Sequence, residues 1–374
     1  MAGIYIHIPF CKKACHYCNF HFSTSTKLQE PLVDCIIKEL ELRKNDTQET
    51  IETIYFGGGT PSILTTSQLE QILKAVYTHY NVSKEAEVTI ESNPDDIVED
   101  KLQQWKWMGV NRLSIGIQSF REEDLLWMNR AHNAEQAFNC VKLAQANGFN
   151  NITIDLIYGV PNLSDEHWIQ NIHTALSLNV PHISCYALTI EPKTALDKLI
   201  KTNKKEPVDA DKQAAQFIIL MDELNKAGFE HYEISNYALP GFRSKHNSSY
   251  WQGKHYIGIG PSAHSFNGSS RQWNIANNAL YIQSINNNTL PFEIEVLSIN
   301  EQYNEYIMTS LRTMEGINLN TLEVYFGKEI LTHTQKEINK WIDRGLVILQ
   351  NNHFTLTQQG KLMADGIASD LFIV

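Results

Sequence analysis

Six short runs rich in β-branched residues alternate with longer segments of helical period: Ile4 to Ile8, Thr53 to Phe56, Val88 to Ser92, Arg112 to Ile117, Ile152 to Ile157 and Ile183 to Leu188. Between the first two, Leu32, Val33, Ile36, Ile37 and Leu40 recur at three- and four-residue steps, so they share one face of a helix able to cover a sheet. Comparable helical segments are read near Thr66 to Tyr80, Glu122 to Asn147 and Asp165 to Leu178. Alternating strands and helices predict parallel strands joined by right-handed crossovers, and six units are fewer than the eight of a closed barrel. The expected fold is α/β, a partial (β/α)6 barrel.

At 374 residues the chain exceeds one ordinary domain and fits a barrel of about 250 residues with an appendage. The character changes after about Pro291. Helical segments at Asn300 to Met314 and Leu331 to Leu346 lead into two strand-like runs, Leu346 to Leu349 and His353 to Thr357, across an Asn-rich turn. The expected division is a barrel domain over 1–290 and a small helical, winged-helix-like domain over 291–374. Gln335, Glu337, Asn339 and Asp343 give the latter no basic stripe for a nucleic acid, which favours a packing or lid role. The whole chain carries 42 acidic against 31 basic residues, a formal charge of −11, which opposes general binding to phosphate backbones or anionic lipid. The first residues lack a charged segment followed by a long apolar one, and no apolar run approaches the ~20 residues of a membrane helix. A cytoplasmic location is expected. Cys35, Cys140 and Cys185 then read as inert core thiols.

The unusual residues fall at the C-terminal ends of the strand-like runs, where parallel α/β folds assemble their sites. Cys11, Cys15 and Cys18 follow the first run, Gly57-Gly58-Gly59-Thr60-Pro61 the second, and Glu91 ends the third. Gln118 ends the fourth and Asp155 to Pro161 the fifth. Three thiolates without a fourth leave one iron of a four-iron cluster open to a small molecule, whereas a closed structural site takes four ligands. The alternatives are buried core cysteines, or a zinc site completed by His7, His16 or His21. Glycine at 57 to 59 lets a ligand approach the backbone closely, or makes a tight turn. Glu91 and Asp155 are single carboxylates at the ends of apolar runs, placed to accept hydrogen bonds from a ribose or an amine. Tyr5, Gln118 and Arg130 complete a plausible polar cradle, though each residue type is also common as scaffold.

The C-x3-C-x2-C spacing resembles the radical S-adenosylmethionine (SAM) superfamily, whose open iron chelates SAM and whose reduced cluster cleaves it to methionine and a 5′-deoxyadenosyl radical. Tyr5 to Cys11, Phe56 to Pro61, Ser114 to Phe120 and Asp155 to Pro161 together resemble the oxygen-independent coproporphyrinogen III oxidase family over most of the chain. That resemblance implies a 4Fe-4S cluster on Cys11, Cys15 and Cys18. It also implies SAM among Tyr5, Gly58, Gly59, Thr60, Glu91, Gln118, Arg130, Asp155 and Ala187. The oxidase pattern adds another cysteine where this chain has Phe20.

Cys18-Asn19-Phe20 and His246-Asn247-Ser248-Ser249-Tyr250-Trp251 instead resemble the HemW subgroup, proposed haem chaperones not expected to decarboxylate coproporphyrinogen. His246, Asn247, Tyr250 and Trp251 then read as a haem motif, within a segment 230–270 of the barrel domain, an imidazole for iron and two aromatics for a porphyrin face. Arg243, Lys245 and Lys254 stand nearby for propionates, and His264 is a second candidate ligand. Read without the resemblance, the same segment is a loop whose Tyr and Trp anchor the core. The resemblance implies haem as cargo and a haem-acceptor protein whose membrane association the sequence leaves open, as it leaves a homodimer. A true oxidase, or another radical SAM enzyme, is the alternative function.

Overall fold

The computed structural model describes residues 2–373. Strands β1 (Ala2–Ile8), β2 (Ile51–Gly58), β3 (Val82–Ser92), β4 (Arg112–Gln118), β5 (Ile152–Tyr158) and β6 (His182–Ala187) pair in chain order, all parallel. Each expected run is one of these strands. The helices pack outside: Gln29–Leu42 buries Leu32, Val33, Ile36 and Leu40 against the sheet, and Thr66–His79 starts from a reciprocal cap between Thr65 and Gln68. With helices outside and side chains within, β1 is buried along nearly its whole length.

The helix expected over Glu122 to Asn147 is two helices, Glu122–Met128 and Ala134–Ala146. Asn129, at φ 62°, takes the left-handed conformation that Asn tolerates better than most side chains and ends the first. Asn133 caps the second through the backbone N–H of Gln136. The break carries Arg130 to the top of the barrel. Glu99–Trp107 is a further helix whose buried face is only Leu102 and Trp105, too little for a periodic signal.

The sheet also extends past both ends of the six. β8 (Asn236–Ala238) pairs antiparallel with β6, and β7 (Glu230–Glu233) pairs antiparallel with β8 as the outermost strand. β9 (His255–Ile259) pairs parallel with β1 and is followed outward by β10 (His264–Phe266), β11 (Ser270–Asn274) and β12 (Phe292–Val296). The result is one twelve-stranded sheet, open between β12 and β7. A buried carboxylate, Glu39, binds helix Gln29–Leu42 to this added edge: it accepts from Gly260 N at 2.8 Å, Asn274 Nδ2 at 2.8 Å and Tyr281 Oη at 2.6 Å, and pairs with Arg43. Burying that charge is tolerable because its oxygens are bonded.

The sequence places the domain change near Pro291, yet β12 is the outer strand of the large sheet, and a second apolar core begins at Tyr303. That core is formed by helices Ile299–Leu311 and Leu319–Asp343, the latter kinked at Gly327 (φ 87°), with β13 (Ile317–Asn318), β14 (Val347–Gln350) and β15 (His353–Leu356). Asn351 and Asn352, both at positive φ, make the two-residue turn between β14 and β15. The small domain docks under the barrel edge through Arg312 on buried Glu233 at 3.1 Å and Lys361 on His231 at 2.9 Å.

Candidate cofactor-binding site

The three cysteines stand on a loop pinched at its base, where Cys11 N donates to Ser23 O at 3.0 Å and Ser23 N to Pro9 O at 2.9 Å. Neighbouring segments hold it. His16 N donates to Met128 O at 3.1 Å, Asn129 Nδ2 to Ala14 O at 2.7 Å, and Leu196 N to His16 O at 2.7 Å. Lys12 pairs with Asp95 at 2.8 Å and with Asp96. Cys11 is buried, and Cys15 and Cys18 are half-buried. Burial pushes the Cys11 thiol up and the Cys18 thiol to about 11.

Thr60 Oγ1 donates to Cys11 Sγ at 3.4 Å, and Arg130 Nη1 to Cys15 Sγ at 3.2 Å. The Thr60 hydrogen bond favours the Cys11 thiolate against that burial. Among the described residues, no three His, Cys, Asp or Glu side chains converge as ligands of one metal ion. His7, His16 and His21, considered above as zinc ligands, bond instead to His21 O, Trp127 O and Asn278 Oδ1. A four-iron cluster makes no demand for convergence, because each thiolate takes a different corner.

Across from the loop, the sheet's upper edge gathers the polar cradle. Gly57 faces Tyr5, Tyr55 and Glu91 so closely that a Cβ there would stand 2.9, 3.0 and 3.1 Å from them. Gly58 is left-handed at φ 106°, which points its N–H at Glu91 Oε2, 3.2 Å away. Glu91 Oε1 accepts from Tyr55 Oη at 2.8 Å. Burial pushes the Glu91 carboxyl up to about 7, against the opposing pull of the Tyr55 hydrogen bond. Burial likewise raises Asp155 to about 6. No cationic side chain pairs with either carboxylate among the described residues.

Arg130 Nη2 donates to Asn93 Oδ1 at 2.9 Å and Gly116 O at 2.7 Å, while its Nε is buried without a partner. Gln118, at φ 67°, ends β4 in the left-handed region, and its amide lies against Gly116. Strain of that kind collects at binding sites. Tyr186, on β6 next to Ala187 and one strand from Asp155, keeps 42 % of its surface exposed, so this side of the barrel is open to a ligand. Two lumen carboxylates that lack a cation, and an arginine with an idle donor, fit a ligand carrying an amine, hydroxyls and a carboxylate.

The other sequence motif sits elsewhere. His246 to Trp251 form the helix Lys245–Trp251, capped by Ser244 and directed at Glu87, which accepts from Lys245 N at 3.2 Å and His246 N at 3.1 Å. A carboxylate at a helix N-terminus is favourable. This helix plugs the lower end of the barrel, away from the cysteine loop. His246 is fully buried, its Nδ1 bonded to Thr53 Oγ1 at 2.7 Å and its Nε2 to Tyr250 Oη at 2.7 Å. Burial pushes the imidazole down to about 3, so it is neutral.

The sequence suggests aromatics laid on a porphyrin, whereas Tyr250 packs edge-on against His246 and Tyr256. Trp251 lies under the Arg312 guanidinium. Beside the helix a cavity of about 250 Å³ is lined by three basic side chains, Arg243, Lys245 and Lys254, one acidic one, Glu52, and Thr53 and Ser248 among others. Arg243 is already paired with Glu230 and Glu315, leaving Lys245 and Lys254 without carboxylate partners among the described residues. His264 is exposed on β10 beside Trp273, outside this cavity. Thr53 and Tyr55, which join floor to cradle, carry no sequence signal; they are ordinary strand residues until the barrel places them.

An open parallel barrel with a three-cysteine loop and a glycine turn at its upper edge defines the radical SAM class, and residues 5–175 match the Radical SAM superfamily. Residues 297–363 match the HemN C-terminal domain. The chain is 33% identical to the heme chaperone HemW of Bacillus subtilis, with 98% of each chain covered. It is 32% identical to that of Mycobacterium tuberculosis, covering 99% of this chain and 94% of the relative. It is 38% identical to that of Escherichia coli over 70% of this chain and 69% of the relative. The chain belongs to the heme chaperone HemW family. Its fold is similar to coproporphyrinogen III oxidase (HemN) from Escherichia coli, with a TM-score of 0.86 at 22% identity, covering 99% of this chain and 90% of that one.

Proposed function

We propose that this protein is a haem chaperone: it binds haem, holds SAM on a 4Fe-4S cluster, and passes haem to an acceptor protein. The observation that carries the reading is the pairing, in one barrel, of the three-cysteine loop with a basic cavity beside the His246 helix. Where the oxidase pattern has a further cysteine, Phe20 stands 67 % exposed and ligates nothing. The cavity is below the ~300 Å³ at which small-molecule pockets usually begin, so haem sits with one edge in it and the rest outside. Loose seating suits a cargo. Lys245 and Lys254 take the propionates, and Ser248, whose hydroxyl is buried without a partner, adds a donor.

At the upper edge Cys11, Cys15 and Cys18 would hold the cluster, which supplies an open iron and a transferable electron. Thr60 and Arg130 stabilise the thiolates, Glu91 and Asp155 take the amine and ribose of SAM, and Gly58 and Gly59, packed without a Cβ against His7 and the backbone at Ile8 and Phe10, bring the turn's backbone alongside it. Gln118, Tyr5 and Ala187 line the remaining wall. Among the described residues no helix is long and apolar enough to cross a membrane, so a membrane acceptor would be met at its surface.

Haem titration tests the reading. Wild-type protein is expected to shift the Soret band with a stoichiometric end point, and His246→Ala to weaken binding by about tenfold or more, the loss of one good ligand bond. A His246→Ala variant that binds haem like wild type removes His246 from the haem site. Carbon dioxide released from coproporphyrinogen by the reduced, SAM-loaded protein would instead make it an oxidase.

A further inference from the structure

Thr53, Tyr55 and Gly57 are alternate residues of β2 and therefore face the same side, the lumen. Thr53 lines the floor cavity and bonds His246. The His246 ring lies flat on Tyr55, centroids 4.8 Å apart at 17°. Tyr5 stacks on both, at 6.1 Å from Tyr55 and 6.4 Å from His246. Tyr55 then donates to Glu91, whose second oxygen accepts from Gly58. The contacts are continuous from the cavity to the glycine turn. Gly3 makes the stack possible, since a Cβ there would fall 2.7 Å from Thr53 Oγ1 and 3.3 Å from the imidazole.

We propose that His246 and Tyr55 are positioning residues for Glu91, and that haem capture through His246 loosens the carboxylate end of the SAM site. The first half stands on the stack alone; the second rests on the haem-chaperone reading. Both imidazole nitrogens are engaged, so His246 cannot offer a lone pair to iron in the cavity without breaking its bond to Thr53 or to Tyr250. Turning outward to form an iron–nitrogen bond, a step with no change of oxidation state, removes the ring that lies flat on Tyr55. The Tyr55 hydroxyl is then free to leave Glu91.

The barrel floor thus has two arrangements. The inward one favours SAM, the outward one haem, and each ligand opposes the other by the same factor.

The test is equilibrium dialysis of SAM against anaerobically reconstituted protein, with and without one equivalent of haem. Wild type is expected to bind SAM about fivefold or more weakly when haem is present, the lower end of ordinary linkage. Tyr55→Phe, which keeps the ring and loses only the hydroxyl, is expected to bind SAM about five- to tenfold more weakly with no haem present, the worth of one hydrogen bond to a buried carboxylate. An unchanged thermal melt checks its fold. SAM affinity in Tyr55→Phe equal to wild type overturns the positioning role, and wild-type SAM affinity indifferent to bound haem overturns the linkage. Reconstituted wild type that binds no SAM at all, or no haem at all, defeats the underlying reading of that site instead.

Discussion

Cys15→Ser is expected to abolish the broad iron–sulfur absorbance of anaerobically reconstituted protein, with iron and acid-labile sulfide falling close to zero, while far-UV circular dichroism stays at the wild-type level. The reason is where the thiol sits. Cys15 is half-buried on a loop outside the apolar core, and its side chain accepts from the Arg130 guanidinium. Serine keeps a hydrogen-bond acceptor for that guanidinium and removes only the soft donor that iron prefers. Thiolate ligands are not interchangeable with hydroxyls, and two thiols do not retain a four-iron cluster firmly. Cys35→Ser, far from the loop and packed on helix Asn278–Asn286, serves as the contrast and is expected to keep the cluster. Full iron and sulfide in Cys15→Ser would overturn the assignment of this loop.

The second large effect follows from Glu91. Its carboxyl is raised by burial to about 7 from an ordinary value of 4.5. A raised folded value means that the protonated form is the one favoured by the fold. The associated stability is therefore fully present below pH 4.5 and is lost as pH rises through about 7. The difference corresponds to about 3 kcal/mol at most, so the protein without SAM should melt lower at pH 8 than at pH 6, and Glu91→Gln should flatten that slope. Binding of a ligand amine runs the other way, because only the ionised carboxylate attracts it. SAM affinity is expected to improve about tenfold from pH 6 to pH 8 in wild type and to be weak and flat in Glu91→Gln. A pH-independent affinity in wild type would show that Glu91 does not meet the amine. Asp155, raised to about 6 by burial, contributes in the same direction at lower pH, which makes Glu91→Gln rather than pH alone the decisive comparison.

Much of the barrel is legible in the chain. The six runs ending in Ile8, Phe56, Ser92, Ile117, Ile157 and Leu188 contain enough consecutive apolar, β-branched residues to declare strands covered on both faces, and helix Gln29–Leu42 shows its period plainly. The outer strands are not legible for the opposite reason. β10, His264–Phe266, has three residues, and β12 leaves Ile294 and Val296 exposed, so neither shows a buried face that sequence could register. The helix break at Asn129 was hidden because the apolar period resumes on its far side at Ala137, Cys140, Val141 and Ala144.

The candidate upper site was legible because its chemistry is local. Cys11, Cys15 and Cys18 lie within one loop, and Gly57 to Thr60 within one turn, so spacing alone carries the signal. The floor was not. That His246 turns inward depends on Thr53, 193 residues before it, on Gly3 lacking a Cβ, and on Tyr55 offering a ring face, none of which is near it in sequence.

The sequence by itself determined the class of fold, the open edge at which polar residues gather, and the three thiols without a fourth, since each follows from patterns spanning a few residues. Only the tertiary structure decided that the histidine motif closes the opposite end of the barrel and stacks beneath the ring that holds Glu91. A strand's alternation says which residues share a face; what stands across the lumen from that face depends on how the sheet curves and what its distant edges bring back.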